Sequence, residues 1–404
     1  MTGRLLILTL YYPPDLSACA FRAGALVQAL REHSGGLAID VITSMPSRYQ
    51  TFTARAAERE ADGPLTVRRL PLPPHRGDMR SQALSYARFA RSAARVASEQ
   101  QYDLVLATSS RLMTASLGAW VSRQSGAPLY LDIRDLFVDT MNEVLPARVA
   151  PLLRPALSTI ERWTFRRAAK VNLVSPGFEP YVRRRYPQTP LSFFTNGIDD
   201  EFMAPAPAPA SSAGHDGPIT VVYAGNMGDG QGLHLIVPTL AASLDGRAQF
   251  RLIGDGGRRV QLADALKEAG VTNVTLLPPM SRTDLIAEYR GADVLFLHLN
   301  DYDAFTRVLP SKVFEYAALG KPVWAGVGGF AADFIRREVT NAAVFPPCDA
   351  AAALRALDTL ALESAPREDF VRQFARRGIM QRMAEDIAAH VPQAPPARKA
   401  GFYR

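Results

Sequence analysis

A lysine and a glutamate three residues apart are the side chains of this chain best suited to chemistry. They are Lys312 and Glu315, in the segment 309–323, where Pro310 comes just before the predicted helix 311–319. Proline suits the first turn of a helix, and residues three apart share one helix face. A lysine beside a helix N-terminus can hold a diphosphate, and a glutamate accepts hydrogen bonds from sugar hydroxyls. The alternative interpretation of this spacing is a surface ion pair.

Two glycine-rich loops follow two successive predicted strands of the second half. The first loop, 225–232, follows strand 219–224, and the second loop, 254–257, follows strand 249–253. Backbone N–H groups exposed in a turn between a strand and a helix suit phosphate. The spacing matches neither the P-loop nor the dinucleotide fingerprint, and a tight turn is the alternative. Two such loops at neighbouring strand ends predict a ligand at this edge of the sheet.

Short apolar runs alternate with amphipathic stretches along the chain, which predicts an α/β fold with parallel sheets wrapped by helices. The predicted strands are 4–10, 38–43, 65–70, 103–108, 128–133, 171–174, 191–194, 219–224, 249–253, 274–277, 293–298, 322–325 and 342–345. The predicted helices are 17–32, 79–98, 112–123, 147–169, 232–243, 258–269, 282–289, 311–319, 331–338 and 370–390.

A segment rich in Pro, Ala and Ser, 203–218, interrupts this alternation and is predicted to be a linker. We therefore predict two doubly wound, Rossmann-like domains that face a central cleft, with the first domain at 1–202 and the second at 219–369. The remaining segment, 370–404, is predicted to form a helix that crosses back to the first domain, followed by a tail.

The charge is uneven along the 404 residues, which carry 46 Lys or Arg and 39 Asp or Glu. Residues 1–200 hold 25 of the basic and 17 of the acidic side chains, so the positive excess belongs to the first half. A one-sided positive charge predicts an anionic partner, either a membrane surface or a nucleic acid. A general bias towards arginine is the alternative explanation.

The composition excludes several classes of protein. Two cysteines, Cys19 and Cys348, are too few for a disulfide framework, and neither has a Cys-x-x-Cys partner for a metal site. No apolar run reaches the roughly 18 residues that a membrane-spanning helix needs, and the run in 1–10 is too short for a signal peptide. We expect a cytoplasmic protein, either soluble or peripheral on the inner face of the cytoplasmic membrane.

An ordered set of motifs connects these features. The second half contains Gly-Asn-Met-Gly at 225–228, Gly-Asp-Gly at 254–256, and Pro-Ser-Lys, Glu-Tyr and Gly-Lys-Pro between 310 and 322. The first half contains Tyr-Tyr-Pro-Pro-Asp at 11–15, Asp-Ile-Arg-Asp-Leu-Phe at 132–137 and Asn-Gly-Ile-Asp at 196–199. Over nearly its whole length the chain resembles the retaining, nucleotide-sugar-dependent glycosyltransferases of family 4. It looks most similar to the branch that builds bacterial O-antigen, capsule and exopolysaccharide, which includes N-acetyl-fucosamine transferases.

The resemblance implies the GT-B fold, with the donor bound mainly by the second domain and the acceptor by the first. The donor-binding residues that it implies are Gly225, Asn226, Gly228, Gly254, Asp255, Gly256, Arg258, Arg307, Pro310, Ser311, Lys312 and Glu315. The acceptor-binding residues that it implies are Pro14, Asp15, Ser17, Arg22 and Arg134. Asp135 and Asp132 are the catalytic candidates. Asp135 is expected to orient the acceptor hydroxyl, and a helix N-cap is its alternative role.

Two departures from the family pattern affect the donor site. Many members carry Glu-x7-Glu, but the position of the first glutamate is Arg307 here. Many members also carry an arginine and a lysine on the first glycine loop, where this chain has Asn226 and Gln231. The charge on the diphosphate must then be balanced by other side chains, for which Lys312, Arg258 and Arg307 are the candidates.

The resemblance also bears on cofactors and mechanism. Asp301-Tyr302-Asp303 matches the metal-binding triplet of transferases with the other glycosyltransferase fold, but GT-B enzymes generally need no metal, so we expect no metal or other cofactor. No histidine lies between His75 and His215, where many relatives have one in the catalytic region. Retaining members are thought to let the leaving diphosphate take the acceptor proton, which requires charge stabilisation more than a side-chain base.

The predicted helix 79–98 has one basic face and one aromatic face. At 100° per residue, an arc of about 120° contains the arginines of this face, which are Arg76, Arg80, Arg88, Arg91 and Arg95. The opposite side contains Met79, Tyr86, Phe89, Ala93 and Val96, and Leu84 lies inside the basic arc. We expect Arg80, Arg88, Arg91 and Arg95 to contact an anionic membrane. A solvated arginine face is the alternative.

Together these features predict a transferase that moves a hexose-type sugar from a UDP-sugar to a lipid-linked glycan at the membrane, in cell-surface polysaccharide biosynthesis. A transferase acting on a soluble natural product and a UDP-sugar 2-epimerase of the same two-domain fold are the alternatives among enzymes. A basic nucleic-acid-binding protein is the alternative outside enzymes. It is disfavoured because the chain has no helix-turn-helix, RNA-recognition or zinc signature, and we expect no nucleic acid partner.

Overall fold

The computed structural model describes residues 3–15, 17–33, 36–46, 55–72, 79–109, 112–144, 150–203 and 217–392. These residues form two sheets with helices on both faces. The first sheet contains β1 (Gly3–Leu8), β2 (Leu37–Ser44), β3 (Arg59–Asp62), β4 (Leu65–Leu70), β5 (Leu104–Ser109), β6 (Leu129–Ile133), β7 (Ala168–Leu173) and β8 (Leu191–Ser192), in the order β3-β4-β2-β1-β5-β6-β7-β8. The second sheet contains β9 (Ile219–Asn226), β10 (Ala248–Asp255), β11 (Val274–Leu277), β12 (Val294–His298), β13 (Val323–Gly326) and β14 (Ala342–Phe345), in the order β11-β10-β9-β12-β13-β14.

Helices connect the strands and cover the sheets. The helices of the first half are α1 (Ala18–His33), α2 (Met79–Ala97), α3 (Leu112–Ser125), α4 (Phe137–Val144), α5 (Ala150–Arg167), α6 (Glu179–Arg185) and α7 (Asp200–Met203). Those of the second half are α8 (Leu233–Ser243), α9 (Arg259–Glu268), α10 (Arg282–Gly291), α11 (Lys312–Ala318), α12 (Gly329–Glu338), α13 (Ala350–Leu357), α14 (Glu368–Phe374) and α15 (Arg376–Ala388). None of the described helices is long and apolar enough to cross a membrane.

The apolar runs become strands because both faces of each sheet are covered. β5 and β12 are buried along their whole length, as expected for central parallel strands. Every predicted strand, and every predicted helix except the last, is found with its ends shifted by a few residues. The sequence prediction missed β3, α4, α6, α7 and α13. β3 is a short antiparallel edge strand of four exposed residues, Arg-Glu-Ala-Asp, which shows no apolar alternation and whose charges protect the sheet edge.

The C-terminal stretch predicted as one helix is two helices, α14 and α15. The break lies at Ala375, where the backbone is extended and pairs with Ile198 of the first half. Ile198 N–H donates to Phe374 O at 2.8 Å, and Arg376 N–H donates to Ile198 O at 2.8 Å. α15 then packs on α1, so the end of the described chain returns to the first half. Met203, the first residue of the predicted linker, ends α7, while 204–216 and the tail 393–404 lie outside the described residues.

The orientation of α2 follows its sequence pattern. Tyr86, Phe89 and Ala93 are buried against the first sheet. The side chains on the opposite face that the structure describes are Arg88, Arg91 and Arg95, all exposed, and Leu84, which is 66% exposed. Arg76 and the side chains of Met79 and Arg80 lie outside the described part of the chain.

Candidate active site

The two glycine loops lie side by side at the carboxyl edge of the second sheet. Gly225 at the end of β9 pairs with Gly254 at the end of β10. Gly225 has φ +145° and Gly254 has φ +141°, conformations that favour glycine. A Cβ on Gly254 would collide with the carbonyl oxygen of Gly225, and a Cβ on Gly225 would collide with the ammonium of Lys312. The glycines therefore allow the two loops and Lys312 to approach closely.

A cavity that is open to solvent lies beside these loops. Its polar lining includes Glu315 and Arg282, and Gly225 and Gly254 form part of its wall. Burial raises the pKa of the Glu315 carboxyl, although the nearby Lys312 ammonium opposes that rise. The rest of the wall is mainly apolar, with Phe21, Phe202, Ile253, Met280 and Leu285. An apolar wall with a few polar groups is typical of a site for a small organic ligand.

Arg282 is a cavity residue that the sequence analysis missed. Its guanidinium is hydrogen-bonded to Asp199 and lies 3.6 Å from Glu201. The guanidinium carbon also lies 4.3 Å from the centre of the Phe21 ring and 4.9 Å from that of Phe202. Phe21 belongs to α1, so Arg282 joins the two halves at this cavity. The sequence around residue 282 does not distinguish Arg282 from an ordinary surface arginine. The one sequence feature that pointed to this cavity was its partner Asp199, in the Asn-Gly-Ile-Asp motif.

A second cavity lies on the other side of Lys312. It is lined by Lys312, Tyr223, Gln231, His298, Pro310 and Ser311. The Lys312 ammonium is 5.5 Å from the centre of the Tyr223 ring. Lys312 therefore lies between the two cavities, next to Gly225 on one side and Tyr223 on the other.

His298 is a second site residue that the sequence did not reveal. Its Nε2 accepts a hydrogen bond from the Cys348 N–H at 3.0 Å, so Nδ1 carries the proton and donates it to Gln231 O at 2.7 Å. Burial lowers the pKa of His298 to about 4, so the imidazole is neutral at physiological pH. His298 connects the first glycine loop to the loop after β14.

The two amides that replace the family's arginine and lysine are bonded to each other. Asn226 Nδ2 donates to Gln231 Oε1 at 2.7 Å, and the same oxygen accepts the Gly228 N–H at 3.2 Å. The first glycine loop is thus closed by a neutral amide pair rather than by two cations. In the second loop, the Asp255 carboxylate accepts the N–H of Gly256 at 2.8 Å. Hydrogen bonds of the Asn226, Gln231 and Asp255 side chains within each loop therefore stabilise the two loops.

Of the three cations predicted to balance the diphosphate, Lys312 is the one that lies between the cavities. Arg258 forms an ion pair with Asp229 at 2.9 Å. Arg307 forms ion pairs with Asp139 at 2.8 Å and with Asp303 at 2.9 Å. The Asp139 pair joins α4 of the first half to the turn Asp303–Arg307 of the second. The structure therefore places Arg307, at the position of the missing glutamate, in a contact across the cleft.

Two predicted site residues of the first half, Arg22 and Asp132, contact each other in its interior. Asp132, predicted to be catalytic, and Arg22, predicted to bind the acceptor, form a buried bidentate ion pair with both distances at 2.9 Å. Asn172 Nδ2 donates to the same carboxylate at 2.7 Å, and Arg22 also donates to Thr195 O at 2.6 Å. The pair is buried and links α1 to β6, so both charges are satisfied within the protein. The catalytic and acceptor-binding roles of these two residues stay predictions.

The other predicted acceptor residues lie around the start of α1 and the end of β6. Ser17 caps α1, since its hydroxyl accepts the Ala20 N–H at 3.2 Å. Pro14 is exposed and Asp15 is buried. Arg134 is half-buried and donates to Asn196 Oδ1 at 3.3 Å. Asp135 is exposed just before α4.

Two family models match the chain in succession. The glycosyl transferase 4-like domain matches residues 18–197, and glycosyl transferases group 1 matches residues 208–377. The chain is also 24% identical over 339 residues to the protein named as a colanic acid biosynthesis glycosyl transferase, WcaI, of Escherichia coli K12, a match that covers 78% of this chain and 81% of that protein. The chain belongs to the family 4 glycosyltransferases.

The fold of this glycosyltransferase is GT-B, as in similar solved structures. Sucrose-phosphate synthase from Thermosynechococcus elongatus matches with a TM-score of 0.74 at 18% identity, over 96% of this chain and 98% of that one. HepE from Anabaena, solved in complex with UDP-glucose, matches with a TM-score of 0.66 at 16% identity, over 96% of this chain and 100% of that one. The two parallel-sheet halves of the glycosyltransferase correspond to the two Rossmann-like domains expected from its sequence.

Turnover of this glycosyltransferase is expected to persist in excess chelator. In the Asp301-Tyr302-Asp303 triplet, the Asp303 carboxylate is ion-paired with Arg307, and Lys312 supplies a fixed cation next to both cavities. A fixed cation can stabilise charge on a leaving diphosphate. The measurement is sugar transfer with and without chelator. Loss of turnover in chelator, restored by manganese, would contradict this expectation and assign a metal to the triplet.

Proposed function

We propose that this glycosyltransferase is a retaining enzyme that moves a sugar from a UDP-sugar to a lipid-linked glycan in cell-surface polysaccharide biosynthesis. The observation that carries the proposal is the position of Lys312 between two cavities, with Glu315 in the wall of the first. The names of two relatives support the donor and the pathway, since HepE was solved with UDP-glucose and WcaI is named for colanic acid biosynthesis.

The donor fits the two cavities in one orientation. The nucleoside occupies the first, apolar-walled cavity, where the Glu315 carboxylate accepts hydrogen bonds from the ribose hydroxyls. The diphosphate then passes Gly225, whose missing Cβ leaves room for the Lys312 ammonium. The sugar points towards the second cavity and the cleft. This orientation gives each of the three parts of the donor a chemically matched surface.

The reaction in this arrangement requires charge stabilisation on the leaving UDP. As the bond between the sugar and the diphosphate lengthens, negative charge grows on the phosphate oxygen, and the Lys312 ammonium stabilises it. The same oxygen takes the proton of the acceptor hydroxyl, so that transfer proceeds on one face of the sugar and the anomeric configuration is retained. Asp135, exposed on the first half, is the side chain proposed to orient the acceptor.

A membrane position suits an acceptor that is attached to a lipid. The exposed face of α2 presents Arg88, Arg91 and Arg95 to solvent while its aromatic face packs on the first sheet. Each arginine near an anionic leaflet contributes about 1 kcal/mol to binding. We therefore include in the proposal that the first half, which holds the acceptor side of the cleft, docks on the inner face of the cytoplasmic membrane.

A screen of nucleotides and nucleotide sugars by thermal stabilisation tests the donor assignment. UDP and at least one UDP-sugar are expected to raise the Tm of the parent, because a ligand that binds only the folded state stabilises it. Lys312→Ala is expected to bind UDP about ten- to a hundredfold more weakly by calorimetry, from the loss of about 1.5–3 kcal/mol of charge-assisted bonding. Glu315→Ala is also expected to weaken binding.

The control for this test is Lys267→Ala, which removes an exposed lysine from α9. It should bind UDP as the parent does. Parental UDP affinity in both Lys312→Ala and Glu315→Ala would remove these residues from the donor site. Stabilisation by nucleotides of another base, without stabilisation by UDP, would overturn the choice of donor.

A further inference from the structure

Three helices on one face of the first sheet form a continuous layer. α2, α3 and α5 pack side by side. The Tyr86 hydroxyl donates to Thr114 Oγ1 at 3.4 Å between α2 and α3, and Ser116 and Thr164 share a hydrogen bond of 3.0 Å between α3 and α5. These hydrogen bonds are buried and fix the three helices relative to one another. The outer surface of α2, α3 and α5 is therefore one continuous face, which we call the arginine layer.

The charged side chains of the arginine layer are almost all basic. Glu161 is the one acidic residue within the bounds of α2, α3 and α5, and it is buried, where it accepts hydrogen bonds from Tyr181 and Tyr186. The exposed basic residues of the layer are Arg88, Arg91, Arg95, Arg123, Arg154, Arg162 and Arg166. The outer face of these helices thus carries positive charge that no acidic residue of the same helices offsets.

Large apolar side chains project from this basic face. Leu152 is 79% exposed and Leu153 is 39% exposed, and both lie in the first turn of α5. The segment 151–156 is exposed throughout, whereas Glu161, about 12 Å further along the helix axis, is buried. α5 therefore begins with an apolar tip, defined here as residues 151–156, and continues with arginines on its outer surface.

α5 is connected to the cleft through α4. α4 packs against α5, and Asp139 of α4 forms the ion pair of 2.8 Å with Arg307 of the second half. Asp135, the proposed acceptor-orienting residue, comes just before α4. A surface that engages the tip would therefore contact the first half, which holds the proposed acceptor side of the cleft.

We propose that the apolar tip of α5 inserts into the interfacial region of an anionic bilayer while the arginine layer contacts the headgroups. This inference rests on the proposed membrane docking and adds the element that enters the bilayer. Interfacial helices bury their apolar face about 5–10 Å into the boundary between headgroups and acyl chains. Arg154 can extend its long side chain back to the phosphates. Leu84 on α2 and Trp120 on α3, both exposed, add apolar contacts on the same layer.

A bilayer fits this surface better than a second copy of the chain. Two copies that met through their arginine layers would oppose positive charge to positive charge, which disfavours association. An anionic leaflet offers the opposite charge and an apolar interior within one surface. The combination of exposed leucines and arginines on a layer without exposed acids matches both properties.

The test is vesicle sedimentation of the full chain and of the double variant Leu152→Ser/Leu153→Ser. The vesicles contain phosphatidylglycerol and phosphatidylcholine, and binding is measured at low and at high salt. The parent is expected to retain part of its binding at high salt because insertion is not screened. The variant is expected to bind at least tenfold more weakly at high salt and to remain partly bound at low salt through its arginines.

The matched control is Leu235→Ser/Val260→Ser, which removes two exposed apolar residues, 52% and 74% exposed, from α8 and α9 of the second half. It should sediment as the parent does, and both double variants should keep parental Tm and UDP affinity. Equal sedimentation of the tip variant and the parent at high salt would overturn the inference. A parent that ignores vesicles but forms a dimer that the tip variant cannot form would also overturn it.

This experiment separates the inference from the proposed function. If the tip variant loses vesicle binding but the parent transfers sugar only to soluble acceptors, the inferred insertion stands and the proposed lipid-linked acceptor is wrong. If vesicle binding depends on the tip but UDP does not bind, the inferred insertion stands and the proposed donor is wrong.

Discussion

Replacing Asp132 with alanine is expected to lower the free energy of unfolding by about 3–5 kcal/mol, because it leaves the Arg22 guanidinium buried without its anionic partner. Burial acts to raise the pKa of Asp132, but Arg22 and its hydrogen bonds outweigh it and hold the pKa below its ordinary value. The contribution of the pair is therefore present at neutral pH and is lost as the pH falls through the lowered pKa. Denaturant unfolding at pH 7 measures the loss.

Asp135→Ala is the control for this prediction, because Asp135 is an exposed aspartate only three residues further along the chain. Its expected cost is about 1 kcal/mol or less. If Asp132→Ala instead keeps the parental stability and loses sugar transfer, Asp132 is catalytic as the sequence predicted, and its assignment to the structural ion pair is wrong.

Replacing Arg88, Arg91 and Arg95 with glutamine is expected to weaken binding to anionic vesicles about a hundredfold. Each exposed arginine near the surface contributes about 1 kcal/mol, and three together correspond to roughly two orders of magnitude. UDP affinity should not change, because α2 lines neither of the proposed donor cavities. Sedimentation with phosphatidylglycerol vesicles at low salt measures the first effect, and calorimetry measures the second.

A variant with the same change of net charge elsewhere controls for general electrostatics. It replaces three exposed arginines of the second half with glutamine, Arg247, Arg336 and Arg372. If both triple variants lose vesicle binding equally, net charge alone attracts the protein to the membrane. If the α2 variant sediments as the parent does, α2 is not part of the membrane-facing surface.

Local patterns in the sequence were enough to predict the fold and to select the two residues on which the proposed donor site depends. Alternating apolar and amphipathic segments predict parallel strands and covering helices because burial on both sheet faces selects for continuous apolar runs. Lys312 and Glu315 were identified for the same kind of reason, since their spacing on one helix turn depends only on helix geometry. The basic and aromatic faces of α2 also follow from periodicity alone, and the burial of Phe89 and the exposure of Arg88 agree with it.

Contacts between distant parts of the chain decided the roles that local patterns left open. Arg22 and Asp132 are 110 residues apart, and their types fit a site as well as they fit a buried ion pair. Arg282 is 83 residues from Asp199, and it reaches the cavity only because α10 and the Asn-Gly-Ile-Asp loop meet there. The arginine layer likewise requires three helices to pack side by side. Sequence spacing defines which residues share a strand or a helix face. The partner of a buried charge is set instead by how the elements pack, because desolvation and pairing depend on the whole surrounding structure.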